Sequence, residues 1–417
     1  MASEALAPQR MSARLAGSFI LCALVMIIDG YDLTAMSLAV PHLVREWGVP
    51  PSHFGIALSA AVPGLGAGAL LLAPLGDRWG RRPVVIVSTI AIALATLGTA
   101  TAGSVTELAL WRLLTGTALG ACLPNVTALV AELAPQHRRA GLLTIVSCGV
   151  SVGAILAGVL APPLVDAGGW ELIFTGSGAF TVLLALPLFL WIPESPKFLA
   201  ARGPGAAQAE RPAAPRFSLL APFSRAHRFA MLVFAGLFLL NSTALYMITS
   251  WLPTILPKAG FSLADAARMA AIVQGGGLAG GLILSWFLDR GKTVVALMTG
   301  YGLVAAALIA FSFLPPALAS WSALLLVVGG GVAGAHLALM AVGTTFFPPT
   351  ILSSAIGIAV AVARVGAFAG PMLGAWAIAD GAGPRSFFLM VLVPVLALAV
   401  AVILIPAAQR PRGETRG

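Results

Sequence analysis

Charge is what this sequence most lacks. Asp, Glu, Lys and Arg make up 9% of its 417 residues, against about 25% in a water-soluble globular domain, so no soluble fold of this length could cover its surface. Cysteine is nearly absent as well. Cys22, Cys122 and Cys148 fall inside apolar stretches with no paired spacing and no neighbouring histidine, which excludes a disulfide framework and a thiolate metal site and leaves packing. The five histidines are scattered over five segments. They offer neither a metal cluster nor the clustered nucleophile and base of a membrane-embedded hydrolase, so the chain does not read as an enzyme. No Gly-Lys-Ser/Thr follows the Gly275-Gly276-Gly277 run, so an ATP-driven pump is excluded and no cofactor or metal is expected.

Apolar residues fill the chain instead, at 59%. Twelve stretches stand out, near 15–41, 53–75, 83–102, 107–134, 140–164, 170–192, 229–256, 266–288, 293–314, 320–347, 351–378 and 385–406. Each suits the roughly 20 residues of a membrane-crossing helix, whereas a β-barrel would show short alternating segments. The first span follows Arg10 and Arg14 but is too long for a signal peptide, so it reads as a retained helix. The fold class is therefore an all-α membrane protein of twelve transmembrane helices.

Basic residues set the orientation. With the N-terminus inside, cytoplasmic segments hold 18 of the 24 Lys and Arg and outer loops hold 4, as the positive-inside rule requires. Both termini are then cytoplasmic, in a bacterial-type inner membrane. The net charge of +9 is thus a topology signal, and no nucleic-acid partner is implied.

The long polar segment 193–228, rich in Pro, Ala, Gly and Arg, divides residues 1–192 from 229–417 and reads as a cytoplasmic linker. The two halves echo each other at a constant offset. Asp77-Arg78 recurs as Asp289-Arg290, and Gly158 recurs at the same spacing as Gly370. Repeated halves with a site at their interface are the plan of rocker-type secondary transporters.

A few residues stand out for their chemistry. Asp29 and Asp32 sit mid-span, three apart on one face of the first helix, where a carboxylate costs about 2.5–3.5 kcal/mol on insertion scales and faces a cavity or a partner. They suit either structural hydrogen bonds or a proton and substrate role. Arg112 and Arg364 are the only basic residues away from the span ends and belong to opposite halves. Arg112 suits a counter-ion for Asp29 or Asp32. Arg364 has no carboxylate deep in its own half, which favours a two-donor clamp on a substrate carboxylate over a structural pair or a gate. Glu132, ahead of Arg138 and Arg139, suits a salt-bridge latch to the loop of Asp77, Arg78, Arg81 and Arg82, with Asp289 and Arg290 as the second-half equivalent. His336 suits packing, proton relay or substrate contact, while Asn125, Tyr31, Tyr246 and Trp251 could hydrogen-bond or stack on an aromatic ring.

Asp77-Arg78-x-Gly80-Arg81-Arg82 resembles the loop signature of the major facilitator superfamily, with Ala73 where its leading glycine stands, and Arg112-x-x-Thr115-Gly116-x-x-x-Gly120 resembles its fourth-helix pattern. Within it, Asp29-Gly30-Tyr31-Asp32, Leu123-Pro124-Asn125 with Glu132, Pro193-Glu194-Ser195-Pro196 and Ala363-Arg364-Val365-Gly366 resemble the aromatic acid:proton symporters across nearly the whole chain. His336, Met340 and Leu352 stand where that pattern leads one to expect glutamine, asparagine and arginine. The resemblance implies two six-helix bundles, proton-coupled import of a small aromatic carboxylate by alternating access, roles in uptake for both aspartates, and a monomer in the lipid bilayer. The rival reading is an efflux antiporter for hydrophobic or cationic compounds. Its usual Gly-Pro-x-x-Gly-Gly is missing from the fifth span, which has Ala161-Pro162-Pro163.

Overall fold

The computed structural model describes residues 13–200, 221–379 and 383–409. The expectations resting on Arg10, Arg410, Arg412, Arg416 and the middle of the linker fall outside those residues. Twelve described helices are long and apolar enough to cross a membrane. They are α1 Ala13–Trp47, α2 Pro51–Trp79, α3 Arg81–Thr99, α4 Val105–Leu133, α5 Gly141–Gly168, α6 Glu171–Trp191, α7 Arg228–Lys258, α8 Leu263–Leu288, α9 Thr293–Ala310, α10 Leu318–Phe346, α11 Ser354–Ile378 and α12 Pro384–Ile403. All twelve expected spans are present, in two bundles of six.

Local chemistry marks where the helices begin and break. Ser104 caps α4 by accepting from Glu107 N at 3.2 Å, and Glu107 Oε2 in turn accepts from Gly103 N at 2.8 Å. Gly80, at φ +105°, makes the turn from α2 into α3. Before that turn α2 widens into a π-helical stretch, Gly68–Leu72, closed by Ala73 N donating to Gly68 O at 2.9 Å and followed by Pro74, which has no backbone N–H. Asn125 of α4 holds this irregular stretch, its Nδ2 donating to Ala73 O at 3.0 Å. Cys22 and Cys122 are buried as expected, whereas Cys148 is exposed and packs little.

Small residues bring the helices together in repeated pairs. A Cβ at Gly64 or Gly68 would meet the α4 backbone at about 2 Å, and one at Gly276 or Gly280, their equivalents in the second half, would meet the α10 backbone at 2.3 Å. The α1–α5 and α7–α11 pairs close likewise, at Gly30 and Gly153 and at Gly366 and Gly370. Backbones this close gain the dispersion and packing that hold helices together where lipid removes the hydrophobic drive. Between the bundles, Ser59 of α2 donates to Phe368 O of α11 at 2.9 Å, and Gly158 of α5 abuts Ala267 and Ala271 of α8. These contacts lie toward the end opposite the Asp77–Arg82 turn.

Gly116→Ala should therefore cost about 1–3 kcal/mol, since its Cβ would sit 2.1 Å from Ala61 O. Gly66→Ala, with nothing within 4 Å, should be neutral or stabilise by up to about 1 kcal/mol. Thermal unfolding of the two purified variants in detergent measures the contrast, and equal melting temperatures would show that the α2–α4 seam tolerates a Cβ.

Candidate functional site: a charged cavity between the two bundles

Asp29 and Asp32, three residues apart on α1, are separated by about 60° around the helix, and that angle gives them different neighbours. Asp32 turns to its own bundle. Its Oδ2 lies 2.7 Å from Arg112 Nη1, its Oδ1 accepts from Thr96 Oγ1 at 3.0 Å, and Arg112 Nη2 reaches its backbone oxygen at 3.2 Å. Both charged groups are almost fully buried. Arg112 is thus the counter-ion of Asp32, which settles the choice the sequence left between the two aspartates. Asp29 is buried too, but its Oδ1 has no hydrogen-bond partner among the described residues.

Asp29 instead lines a cavity of about 380 Å³ between the bundles. The second bundle contributes Arg364 of α11, His336 of α10 and Tyr246 of α7 to the same walls, and Arg112 also reaches them. Arg364 is half-buried and, among the described residues, has neither a salt bridge nor a hydrogen bond to the protein. An arginine in that position keeps its charge and its five N–H donors directed at whatever fills the space. The remaining wall is mostly apolar, from residues such as Leu58, Val62, Phe238 and Ala367. A volume of this size, apolar apart from a few convergent polar groups, is that of a small-ligand site.

Four expected substrate contacts are corrected. Asp32 does not reach the cavity, being held by Arg112 and Thr96. Tyr31 donates to Ile173 O at 3.2 Å and ties α1 to α6. Asn125 is occupied by Ala73 O and Ala121 O. Trp251 is fully buried between α7 and α11, its indole N–H donating to Pro371 O at 2.8 Å. Each is a polar or aromatic group satisfied by a neighbouring helix, which is the common fate of such side chains in a tight bundle.

The sequence also passed over residues that matter here. Ser242 and Gln274 line the cavity, and the Ser242 hydroxyl has no partner among the described residues. Asn241 holds the place in the second half that Asp29 holds in the first, at the same offset that relates Asp77 to Asp289, and that repeat was the signal that could have found it.

Far from the cavity, Glu132 binds Arg81 at 3.0 Å and Lys197 at 3.9 Å and accepts from Ser195 Oγ. Glu194 caps α3 by accepting from Arg81 N at 3.0 Å and Arg82 N at 3.3 Å. Arg82 donates to Phe189 O, Asp77 pairs only weakly with Arg81 at 3.4 Å, and Arg78 is exposed. The expected second-half latch does not form among the described residues. Asp289 makes no ion pair, and Arg290 lies over the Trp286 ring at 3.6 Å. The reason is the missing partner, since Thr344 occupies the position equivalent to Glu132 in the second half.

The Major Facilitator Superfamily profile matches residues 22–350. The chain belongs to this superfamily. It is 32% identical to a gallate transporter of Pseudomonas putida, over 92% of this chain and 90% of that one. It is 31% identical to a 4-hydroxybenzoate transporter of the same organism, over 92% and 91%. Its fold matches that of the E. coli xylose transporter in an inward-open conformation with a TM-score of 0.73, at 17% identity and over 97% of both chains. As a superfamily member the chain is a multi-pass membrane transporter and not an enzyme.

Asp32→Asn should leave the Arg112 charge buried and unpaired, a loss of about 3–5 kcal/mol. The double variant Asp32→Leu with Arg112→Met should recover much of that stability. Melting temperature and folded yield in detergent check the pair, and a single variant as stable as wild type would show that the ion pair carries no structural weight.

Proposed function

We propose that the chain imports a small aromatic carboxylate together with a proton by alternating access, with Arg364 clamping the carboxylate and Asp29 carrying the proton. The observation that carries this reading is the charge inventory of the cavity. Asp32 and Arg112 neutralise each other, which leaves Asp29 from one bundle and Arg364 from the other as the cavity charges without an ion pair among the described residues. Empty, that pair is balanced. A carboxylate arriving at Arg364 adds a negative charge in a low-dielectric site, and a proton on Asp29 cancels it. Anion and proton thus favour each other's binding by linkage, and one proton per monoanion makes the step electroneutral. Gallate and 4-hydroxybenzoate, for which two relatives are named, suit the apolar wall and Arg364, which has no ion pair among the described residues.

The cationic turn at Arg78, Arg81 and Arg82 marks the cytoplasmic end, with both termini on that side of a bacterial inner membrane. The bundles touch at the opposite end, through Ser59–Phe368 and Gly158–Ala267, as in an inward-facing state. One chain encloses the whole cavity, which supports a monomeric transport unit. Glu132, Arg81 and Glu194 tie the cytoplasmic ends of the first bundle so that it rocks as a rigid body.

Arg364→Lys should weaken binding of 4-hydroxybenzoate about tenfold to a hundredfold, because an ammonium cannot reproduce the planar two-donor fork. Wild type should bind the neutral amide of the same acid poorly. Titration calorimetry on purified protein reads both, and equal binding of acid and amide would sink the carboxylate reading and favour the efflux antiporter. Asp29→Asn should abolish proton-driven accumulation in proteoliposomes yet retain substrate exchange. Concentrative uptake by that variant would remove Asp29 from proton coupling.

A further inference from the structure

Three helices of the second bundle carry a hydrogen-bond chain that ends at the cavity. Tyr301 of α9 is almost fully buried, and its hydroxyl donates to Asn241 Oδ1 at 3.1 Å. Asn241 of α7 is fully buried and presents its Nδ2 to His336 Nδ1 of α10 at 3.3 Å. The Tyr301 hydroxyl donates to the Asn241 amide oxygen, and that arrangement turns the amide nitrogen toward His336. The amide nitrogen only donates. Paired this way, His336 Nδ1 accepts, and the neutral ring then carries its proton on Nε2. The Phe238 ring, 6.0 Å away and edge-on, holds the imidazole plane. His336 itself is half-buried and lines the cavity, and no described residue accepts from its Nε2.

Depth decides what that N–H can meet. On α11, Gly366 abuts Leu239 O and Gly370 abuts Thr243 O of α7, so Arg364 lies beside the turn of α7 just before Leu239. His336 packs on Phe238 and bonds to Asn241, one turn of the same helix. The two donors thus enter the cavity at one level, from either flank of α7.

We infer that His336 is the second carboxylate-binding group of this transporter, its N–H held toward the cavity by the buried Tyr301–Asn241 pair. This rests on the aromatic-acid reading above. A carboxylate offers about four acceptor positions and an arginine fork fills two of them, which leaves room for one more donor. A neutral donor suits the site, because a second cation would upset the balance between Asp29 and Arg364. Tyr301 and Asn241 are positioning residues. They touch no substrate and act by fixing the tautomer.

The test compares His336→Gln with His336→Phe, using 4-hydroxybenzoate and gallate as probes in titration calorimetry on the purified full chain. Glutamine keeps both functions, its Oε1 accepting from Asn241 and its Nε2 donating to the cavity, and should bind within about threefold of wild type. Phenylalanine keeps the bulk and lacks the N–H, and should lose about tenfold or more for both acids. Should His336→Phe fail to fold, His336→Met replaces it with the same expectation. Nitrogen-15 spectra of histidine-labelled wild type give an independent readout. The resonance missing from His336→Gln should show a protonated Nε2 and a bare Nδ1, and the opposite tautomer would overturn the inference. Equal losses in the glutamine and phenylalanine variants would mean a packing role and overturn it too. Unchanged affinity in His336→Phe, with a loss in Arg364→Lys, would sink this inference alone. Failure of wild type to bind any aromatic acid would sink both readings.

Discussion

The buried ion pair between Asp32 and Arg112 is the constraint on which the rest of the cavity depends. Two full charges sit inside a membrane-spanning bundle, where each alone would be expensive. Together, with Thr96 on the other carboxylate oxygen and the Asp32 carbonyl on the second guanidinium nitrogen, they form a satisfied unit joining α1, α3 and α4. That unit takes one charge of each sign out of play. What remains at the interface is a carboxyl from one bundle and a guanidinium from the other, neither of them in an ion pair among the described residues.

That arrangement places the unsatisfied groups where the two rigid bodies meet. Each bundle is closed internally by backbone-to-backbone seams, α1 with α5 and α2 with α4 in the first, and α7 with α11 and α8 with α10 in the second. A Cβ on most of these glycines would strike a neighbouring backbone, so the seams resist shear within a bundle. Between bundles the contacts are fewer and gathered at one end, through Ser59, Phe368, Gly158 and Ala267. Stiff halves with a weaker interface suit motion of one against the other around a fixed midplane cavity. The network of Glu132, Arg81, Ser195 and Glu194 adds stiffness to the first half only.

Much of this was legible in the residues. Twelve apolar stretches gave twelve helices, because hydrocarbon leaves a backbone no other way to satisfy its own hydrogen bonds short of a closed barrel. The repeat between the halves reappears as equivalent glycine seams, at Gly64 and Gly276 and at Gly68 and Gly280. Arg364 stood out as a cation with no partner in its half, and the structure keeps it without one among the described residues. Glu132 and Arg81 meet as their positions suggested.

Composition and periodicity thus determined the class, the span count and the short roster of intramembrane charges, since each follows from the cost of moving a residue type into lipid. Which way a side chain turns is decided by packing. Asp29 and Asp32 look alike along the chain, yet a difference of about 60° around α1 gives one to Arg112 and the other to the cavity. Tyr31, Asn125 and Trp251 are as polar or aromatic as Tyr246, but a neighbouring helix offers each of them a carbonyl within reach. His336 could have been packing, relay or contact. Only the placement of Asn241 and Tyr301 on two other helices gives its Nδ1 a hydrogen-bond partner, because a hydrogen-bond chain across three helices has no trace in the order of residues along any one of them.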